Sequence, residues 1–370
     1  MLKIKMIQII VFLSVALAIV YGSHFYLHAT ITRFLALGPA QSRMLGFVLY
    51  GLATSFIATI LLNRLIENQA TEWLYIASSV WYGLFANLLL AATAGWVIFG
   101  LGSLSRFSIE PRRLSAVLCL LAIIVSGYGL YNARYPRIKN INVKIKNLPP
   151  DWSGKTAAQI TDLHLGAVYG VSWFTALTES INSLNPDILF ITGDLFDGTG
   201  PDLGVLAAPL KNITAPYGVY FVNGNHETYI GRDKIEAALA GTGVRYLRSE
   251  TAMADGLTIA GLDYADRGET EDPAGFLKGL DPDQPTILLK HAPNGIGDIL
   301  AAKVDLVLSG HTHRGQLFPF GLITRLIFGK YYTGLNTDGD LTVYTSPGTG
   351  TWGPPMRTSG RSEITVIKFE

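Results

Sequence analysis

Residues 187–197 read Asp-Ile-Leu-Phe-Ile-Thr-Gly-Asp-Leu-Phe-Asp. The run Asp187–Thr192 is nearly continuous in apolar residues, as strands buried on both faces are. It ends directly on the polar cluster Gly193-Asp194-Leu195-Phe196-Asp197. The same grammar recurs on either side. Ala157–Thr161 leads into Asp162-Leu163-His164, and Gly218–Val222 into Asn223-Gly224-Asn225-His226-Glu227. Thr286–Leu289 leads to His291, and Val304–Leu308 to Gly310-His311-Thr312-His313. Leu257–Gly261, Leu341–Tyr344 and Glu363–Phe369 are further strand-like runs, while Trp173–Leu184 and Arg232–Ala240 read as helices. Strands alternating with helices imply an α/β layered fold. Ligands of open α/β sheets bind beyond the carboxyl ends of the strands, so five polar loops are expected to converge at one edge.

Towards the N-terminus the texture changes. Of 370 residues only 15% are charged, against about 25% in ordinary soluble proteins, and the mean hydropathy is +0.31. The deficit is concentrated in four stretches without Asp, Glu, Lys or Arg, roughly 6–28, 44–63, 73–101 and 115–131. Each is near the length of about 20 residues that spans a bilayer, and a soluble core cannot hide four all-round apolar helices in a row. The first is too long in its apolar run for a cleaved signal peptide and lacks a clean small-residue cleavage site. The expectation is a transmembrane domain over residues 1–131, a linker and domain entry over 132–147, and the α/β domain over 148–370. His24 and His28 are read as interfacial, and Asn87 as a helix–helix hydrogen-bonding residue. With no charge inside the spans, a transporter is disfavoured.

Four spans put the N-terminus and the C-terminal domain on one side. Lys3, Lys5, Arg64, Arg134, Arg137 and Lys139 fall on that side, and Arg33, Arg43, Arg106, Arg112 and Arg113 on the other. The positive-inside rule leans towards a cytoplasmic domain by a single residue. A net charge of +1 gives no electrostatic case for nucleic acid. The lone Cys119 lies in an apolar run and forms no intrachain disulfide.

Five of the seven histidines lie in the polar clusters. Carboxylate, imidazole and amide oxygen together suit divalent ions such as Mn, Fe, Zn or Mg, and no cysteine is near to make a thiolate site. Two ions about 3.5–4 Å apart need a bridging ligand, for which Asp194 is the natural choice. Asp162, His164 and His313 are assigned to one metal, and Asn225, His291 and His311 to the other. Two cations on one water lower its pKa towards roughly 7, giving a hydroxide that attacks phosphorus. His226 is spare as a ligand and is the candidate general acid. Asp197 can orient its ring, although a helix N-cap would explain that residue too.

Asp162-x-His164, Gly193-Asp194-x-x-Asp197, Gly224-Asn225-His226-Glu227, His291 and Gly310-His311-x-His313 together resemble the calcineurin-like metallophosphoesterase superfamily. The resemblance spans roughly residues 148–370 and implies a β-sandwich of two mixed sheets flanked by helices, holding two divalent ions. The segment from Gly310 to Gln316, and that from Ser346 through Arg357, resemble the bacterial membrane-bound branch. The four-span N-terminus resembles the transmembrane proteins with a metallophosphoesterase domain. Gly198 stands where the protein phosphatases of the superfamily carry a phosphate-binding arginine, which disfavours a phosphoprotein substrate. The substrate is expected to be a phosphodiester or phosphomonoester. Arg357 reads either as a bidentate phosphate contact or as part of a surface salt bridge. Leu317–Lys330, apolar with Arg325 and Lys330, reads either as a hairpin packed on its own domain or as a lip admitting lipid phosphates from surrounding membrane lipids. A catalytically silent phosphate-ligand sensor is the alternative function, and the presence of every expected ligand speaks against it.

Overall fold

The structure is a computed structural model and describes residues 2–66, 68–105, 107–264 and 273–370, the side chains of residues 2–6, 8, 9, 64 and 273 excepted. Of the residues counted for orientation, Arg106 and the side chains of Lys3, Lys5 and Arg64 lie outside this description. The chain forms two compact units, Met1–Tyr128 and Gly129–Glu370.

The first unit is built from α1 (Leu2–Leu35), α2 (Pro39–Leu65), α3 (Gln69–Leu104) and most of α4 (Pro111–Arg134). All four are long and apolar enough to cross a membrane. They outrun the uncharged stretches at both ends, because a helix continues through flanking polar residues until a breaker or cap stops it. Gly38-Pro39 separates α1 from α2, and Pro111 opens α4. Asn68 caps α3 by accepting from the Thr71 N–H at 3.0 Å. Asn87 donates to Ser126 Oγ at 2.9 Å and joins α3 to α4, as its position suggested. His24 departs from the interfacial reading. Because α1 runs on to Leu35, His24 sits well inside it, fully buried, with its ring stacked 3.7 Å from that of Phe85. Its Nε2 accepts from Trp81 Nε1 at 3.3 Å.

Among its described residues the second unit contains twelve strands. They are β1 (Arg137–Val143), β2 (Thr156–Ile160), β3 (Ile188–Thr192), β4 (Val219–Val222), β5 (Val244–Tyr246), β6 (Glu250–Ala254), β7 (Leu257–Leu262), β8 (Thr286–Lys290), β9 (Leu306–Ser309), β10 (Gly334–Asp338), β11 (Leu341–Thr345) and β12 (Glu363–Phe369). Its helices are α5 (Val171–Ser183), α6 (Leu203–Ala207), α7 (Asn225–Ile230), α8 (Arg232–Leu239), α9 (Pro273–Lys278), α10 (Ile296–Ala301) and α11 (Gly321–Phe328). One six-stranded sheet has the order β1-β12-β2-β3-β4-β5, and the other β10-β11-β9-β8-β7-β6. Both are mixed. β2 to β5 run parallel, as do β7, β8, β9 and β11, with antiparallel pairs at β12–β2, β6–β7 and β10–β11.

Strand periodicity explains the layers. In β3, Ile188 and Phe190 point to the space between the sheets, where they meet Ile287, Leu289, Leu306 and Leu308. Leu189 and Ile191 point the other way, onto Phe174, Leu177 and Ile181 of α5 and Leu206 of α6. Both faces are covered, which is why these strands read as unbroken apolar runs rather than alternating ones. Leu288 and Val307 do the same on the outer face of the second sheet, against Leu277 and Ile299. The result is the two-sheet sandwich flanked by helices that the resemblance implied. Within the stretch expected as linker and domain entry, residues 137–143 form β1 and pair in parallel with β12. Charged and polar residues of β1 face outwards at the sheet edge, where only Ile141 and Val143 are buried, so the sequence carries little strand signal there.

Candidate metal centre

Asp162 and His164 follow β2, Asp194 follows β3, Asn225 and His226 follow β4, His291 follows β8, and His311 and His313 follow β9. The carboxyl ends of both sheets therefore deliver the polar residues to one place. Asp162, His164 and His313 offer ligand atoms within 4.8 Å of one another, and so do Asp194, His291 and His311. A third such group, His164, Asp194 and His226, overlaps both.

The spacings are those of coordination shells. His164 Nε2 lies 3.2 Å from His313 Nε2, and His313 Nε2 lies 3.3 Å from Asp162 Oδ1. In the second group His291 Nε2 is 3.2 Å from His311 Nδ1 and 3.2 Å from Asp194 Oδ2. Ligands bound at about 2.0–2.1 Å to one ion stand about 2.9–3.4 Å apart at right-angled to tetrahedral geometry. Asp194 Oδ2 also lies 3.8 Å from His164 Nε2, so a single oxygen faces both groups. Asn225 Oδ1 is buried with no hydrogen-bond partner. An orphaned buried acceptor is costly, and a cation would satisfy it. The residues present thus fit two divalent ions.

Local structure aims these side chains. Five of the seven proposed ligands have left-handed backbone, with φ of 53° at Asp162, 51° at His164, 51° at Asp194, 69° at His311 and 48° at His313. Such conformations cost about 1–2 kcal/mol per residue and persist only where surrounding contacts impose them. Gly193 has φ 89°. Gly224 and Gly310 are required for a different reason, close approach: a Cβ at Gly224 would overlap Asp194 Oδ1, and one at Gly310 would overlap Asp162 Oδ2. The Thr192 carbonyl lies 2.8 Å from His291 Nδ1 and turns Nε2 inwards.

Glu227 ties the loops of the candidate site together, a part the sequence reading did not assign to it. It is buried, and its carboxylate accepts from the N–H groups of Asp194 (2.9 Å), Phe196 (3.1 Å) and Gly224 (2.7 Å). It clamps the β3 loop to the β4 loop. Its place at the end of Asn-Gly-Asn-His-Glu was the available signal, but a carboxylate one residue past a histidine looks like another ligand or a solvated turn.

Charge is unevenly held. Burial lowers His164 to about 3 and His311 to about 4, with neighbouring imidazoles adding to the effect and Asp194 opposing it. Burial and His164 hold His313 well below the usual range. His291 goes the other way: burial would lower it, but the carboxylate of Asp194, then Asp162 and the Thr192 carbonyl, raise it to about 9. Burial and the charge of Asp194 push Asp162 up to about 6. Burial acts on Asp194 too, yet the charge of His291 outweighs it and leaves Asp194 ionised. Without metal the centre is a carboxylate–imidazolium cluster, and cations would take the place of its protons.

His226 is partly exposed, with its backbone N–H donating to Asp194 Oδ1 at 2.9 Å and its ring Nδ1 3.7 Å from Asp197 Oδ1. The exposed Trp352 lies beside it, ring centres 6.0 Å apart. Asp197 caps no helix; Asp202 caps α6 instead, and Asp197 Oδ2 accepts from Thr199 at 2.8 Å. Arg357 is put to a different use from the expected phosphate contact. It is fully buried, with Nε and Nη2 donating to the Gly350 carbonyl (3.2 and 2.6 Å) and Nη1 to that of His313 (3.1 Å). The guanidinium is occupied in holding the His313 loop.

The sequence model of the calcineurin-like phosphoesterase family matches residues 155–315, which contain all seven proposed ligands. A transmembrane protein with metallophosphoesterase domain from Bos taurus is 33% identical over 303 residues, 76% of this chain and 67% of the relative. One of the same description from Danio rerio is 32% identical over 330 residues, 82% and 75% of the two chains. A metallophosphoesterase of Aquifex aeolicus is 33% identical over 268 residues, 68% of this chain and 98% of the relative. On these matches this protein belongs to the calcineurin-like metallophosphoesterases, hydrolases of phosphate esters.

Proposed function

We propose that the protein is a membrane-anchored phosphoesterase that holds two divalent ions and hydrolyses a phosphodiester or phosphomonoester. Asp162, His164 and His313 would hold one ion, and Asn225, His291 and His311 the other, with Asp194 shared. The observation that carries this reading is Asp194 Oδ2, which stands 3.2 Å from His291 Nε2 and 3.8 Å from His164 Nε2. When bound, the ions supply an acidified water and neutralise charge on the phosphoryl oxygens.

The chain's own residues do the rest. The left-handed loops fix the ligands before substrate arrives, so little reorganisation is left for the transition state. His226 would donate a proton to the leaving oxygen, and Asp197, 3.7 Å from its Nδ1, would steady the ring. Glu227 keeps the Asp194 and Asn225 loops in register. The anchor is supported by four helices of spanning length.

The test is Asp194→Asn in the full chain purified in detergent. Metal content falling from two ions towards one or none, with loss of hydrolysis of both a chromogenic diester and its monoester, is the expected outcome. Wild-type metal content and turnover in that variant would refute the shared-ligand assignment.

A further inference from the structure

We infer that α11 and its flanking loop form a bilayer-docking face beside the metal centre, and that the substrate is a phosphate ester carried by a lipid in that bilayer. The inference rests on the phosphoesterase reading and narrows its substrate.

α11 breaks the usual pattern of a helix on a soluble domain. Such a helix presents an apolar stripe to the core and polar residues to water. α11 buries none of its residues. Leu322, Ile323, Leu326 and Ile327 are 62, 52, 85 and 67% exposed, and Phe318 and Phe320 just before them are 56 and 48% exposed. Six large apolar side chains in ten residues make a continuous patch of the kind that marks an interaction surface.

The patch is built. The Phe318 N–H donates to Thr358 Oγ1 at 2.9 Å, and Gln316 Nε2 donates to the carbonyls of Trp352 and Pro354, both at 2.9 Å. The Trp352 N–H returns a bond to Gln316 Oε1 at 3.0 Å. Gly315, with φ 73°, lets the loop fold tightly back, since a Cβ there would overlap the backbone of Phe320 and Gly321. The helix is therefore held with its apolar residues outwards.

It also adjoins the chemistry. α11 follows the Gly310–His313 loop directly in sequence, and the Phe328 ring stands edge-on to His311 with centres 5.8 Å apart. On the other side Trp352, 57% exposed, reaches His226.

The composition selects a bilayer as the occupant. From Gly310 to Thr337 there is no Asp or Glu, whereas Arg314, Arg325 and Lys330 are basic. Arg325 is exposed on α11 and has no ion-pair partner among the described residues, and Lys330 pairs with Asp338 at 3.2 Å. Apolar side chains with the unpaired cation Arg325 among them, bordered by Tyr331, Tyr332 and Trp352 and with Asp338 the carboxylate that Lys330 and Tyr331 engage at the edge, match an interfacial helix on anionic lipid. The four spanning helices of the same chain keep a bilayer at high effective concentration. Docked in this way, α11 would hold acyl chains in the membrane while the phosphate rises to the ligand cluster.

The test uses the full chain in nanodiscs of phosphatidylcholine and phosphatidylglycerol. In a Cys119→Ser background, an environment-sensitive fluorophore is attached through Leu326→Cys or, as reference, through Lys234→Cys on α8. Lipid-borne bromine should quench the probe at position 326 and leave that at 234 bright. Turnover of 4-nitrophenyl hexadecyl phosphate in the disc is then compared with that of water-soluble 4-nitrophenyl methyl phosphate. In Leu326→Glu/Ile327→Glu the ratio of the two should fall on the order of tenfold or more, because charge opposes insertion. Equal quenching at both positions, or an unchanged ratio, overturns the inference. So does crosslinking between copies through position 326 without lipid quenching, which would assign the face to a second copy. Quenching at 326 with neither these two diesters nor the monoester 4-nitrophenyl phosphate hydrolysed would keep the docking face and overturn the phosphoesterase reading instead.

Discussion

Gly224→Ala separates close packing at the metal centre from every other role of a glycine. The backbone there has φ −114° and ψ −169°, a conformation open to alanine, so no strain comes from the main chain. The new methyl would stand 2.7 Å from the Asp194 nitrogen and 2.8 Å from Asp194 Cγ. Carbon atoms in contact lie about 3.5–4.0 Å apart, so the Asp194 carboxylate would have to retreat by about 1 Å. Misplacement of that size costs on the order of 10²-fold in rate, or about 2.7 kcal/mol of transition-state stabilisation at 1.36 kcal/mol per decade. Overpacking should cost about 1–3 kcal/mol in stability, which a typical domain survives. The assay is kcat/KM on a chromogenic ester, with bound metal and thermal unfolding measured on the same preparation. Gly243→Ala is the control, because its φ is 82° and nothing lies within 4 Å. It should lose about 1–2 kcal/mol of stability from strain and keep its activity. A Gly224→Ala enzyme with wild-type metal content and kcat/KM would refute the packing argument, as would an equal loss of rate in the control.

Two further outcomes follow from the chemistry of the centre. His226→Ala should lower hydrolysis of an alkyl ester by about 10²–10⁴-fold and that of a nitrophenyl ester far less, since nitrophenolate leaves without a proton; equal losses on both would remove the general-acid role. Metal affinity should rise with pH. His291, raised to about 9 in the metal-free protein, keeps its proton at neutral pH, and loading must displace it. Between pH 6.5 and 8 the affinity should therefore increase about 30-fold, one proton per tenfold per unit. Below about 6 the dependence steepens as Asp162 also takes up a proton. Titration calorimetry showing no proton release would contradict this.

The candidate site was legible in the sequence because its proposed ligands sit where buried strands end. Ile188–Thr192 has both faces covered, so it announced itself as an apolar run, and Asp194 fell directly beyond it. Four strands left weaker traces. β1 exposes its charged residues at an edge, β5 has three residues, β6 reads Glu-Thr-Ala-Met-Ala, and β10 alternates exposed and half-buried residues. Edge strands bury too little to impose a pattern. Arg357 was misread because an arginine near a phosphate site suggests a ligand contact, whereas only the fold reveals that the carbonyls of Gly350 and His313 take up its donors. Glu227 was missed for the mirror reason, since its partners are main-chain N–H groups contributed by two different loops.

The left-handed backbone at Asp162, His164, Asp194, His311 and His313 has an evolutionary consequence. These residues oppose folding while they serve chemistry, so a lineage released from the need to hydrolyse its ester would gain stability by exchanging them for glycine or asparagine. Decay of the centre would be favoured rather than merely tolerated.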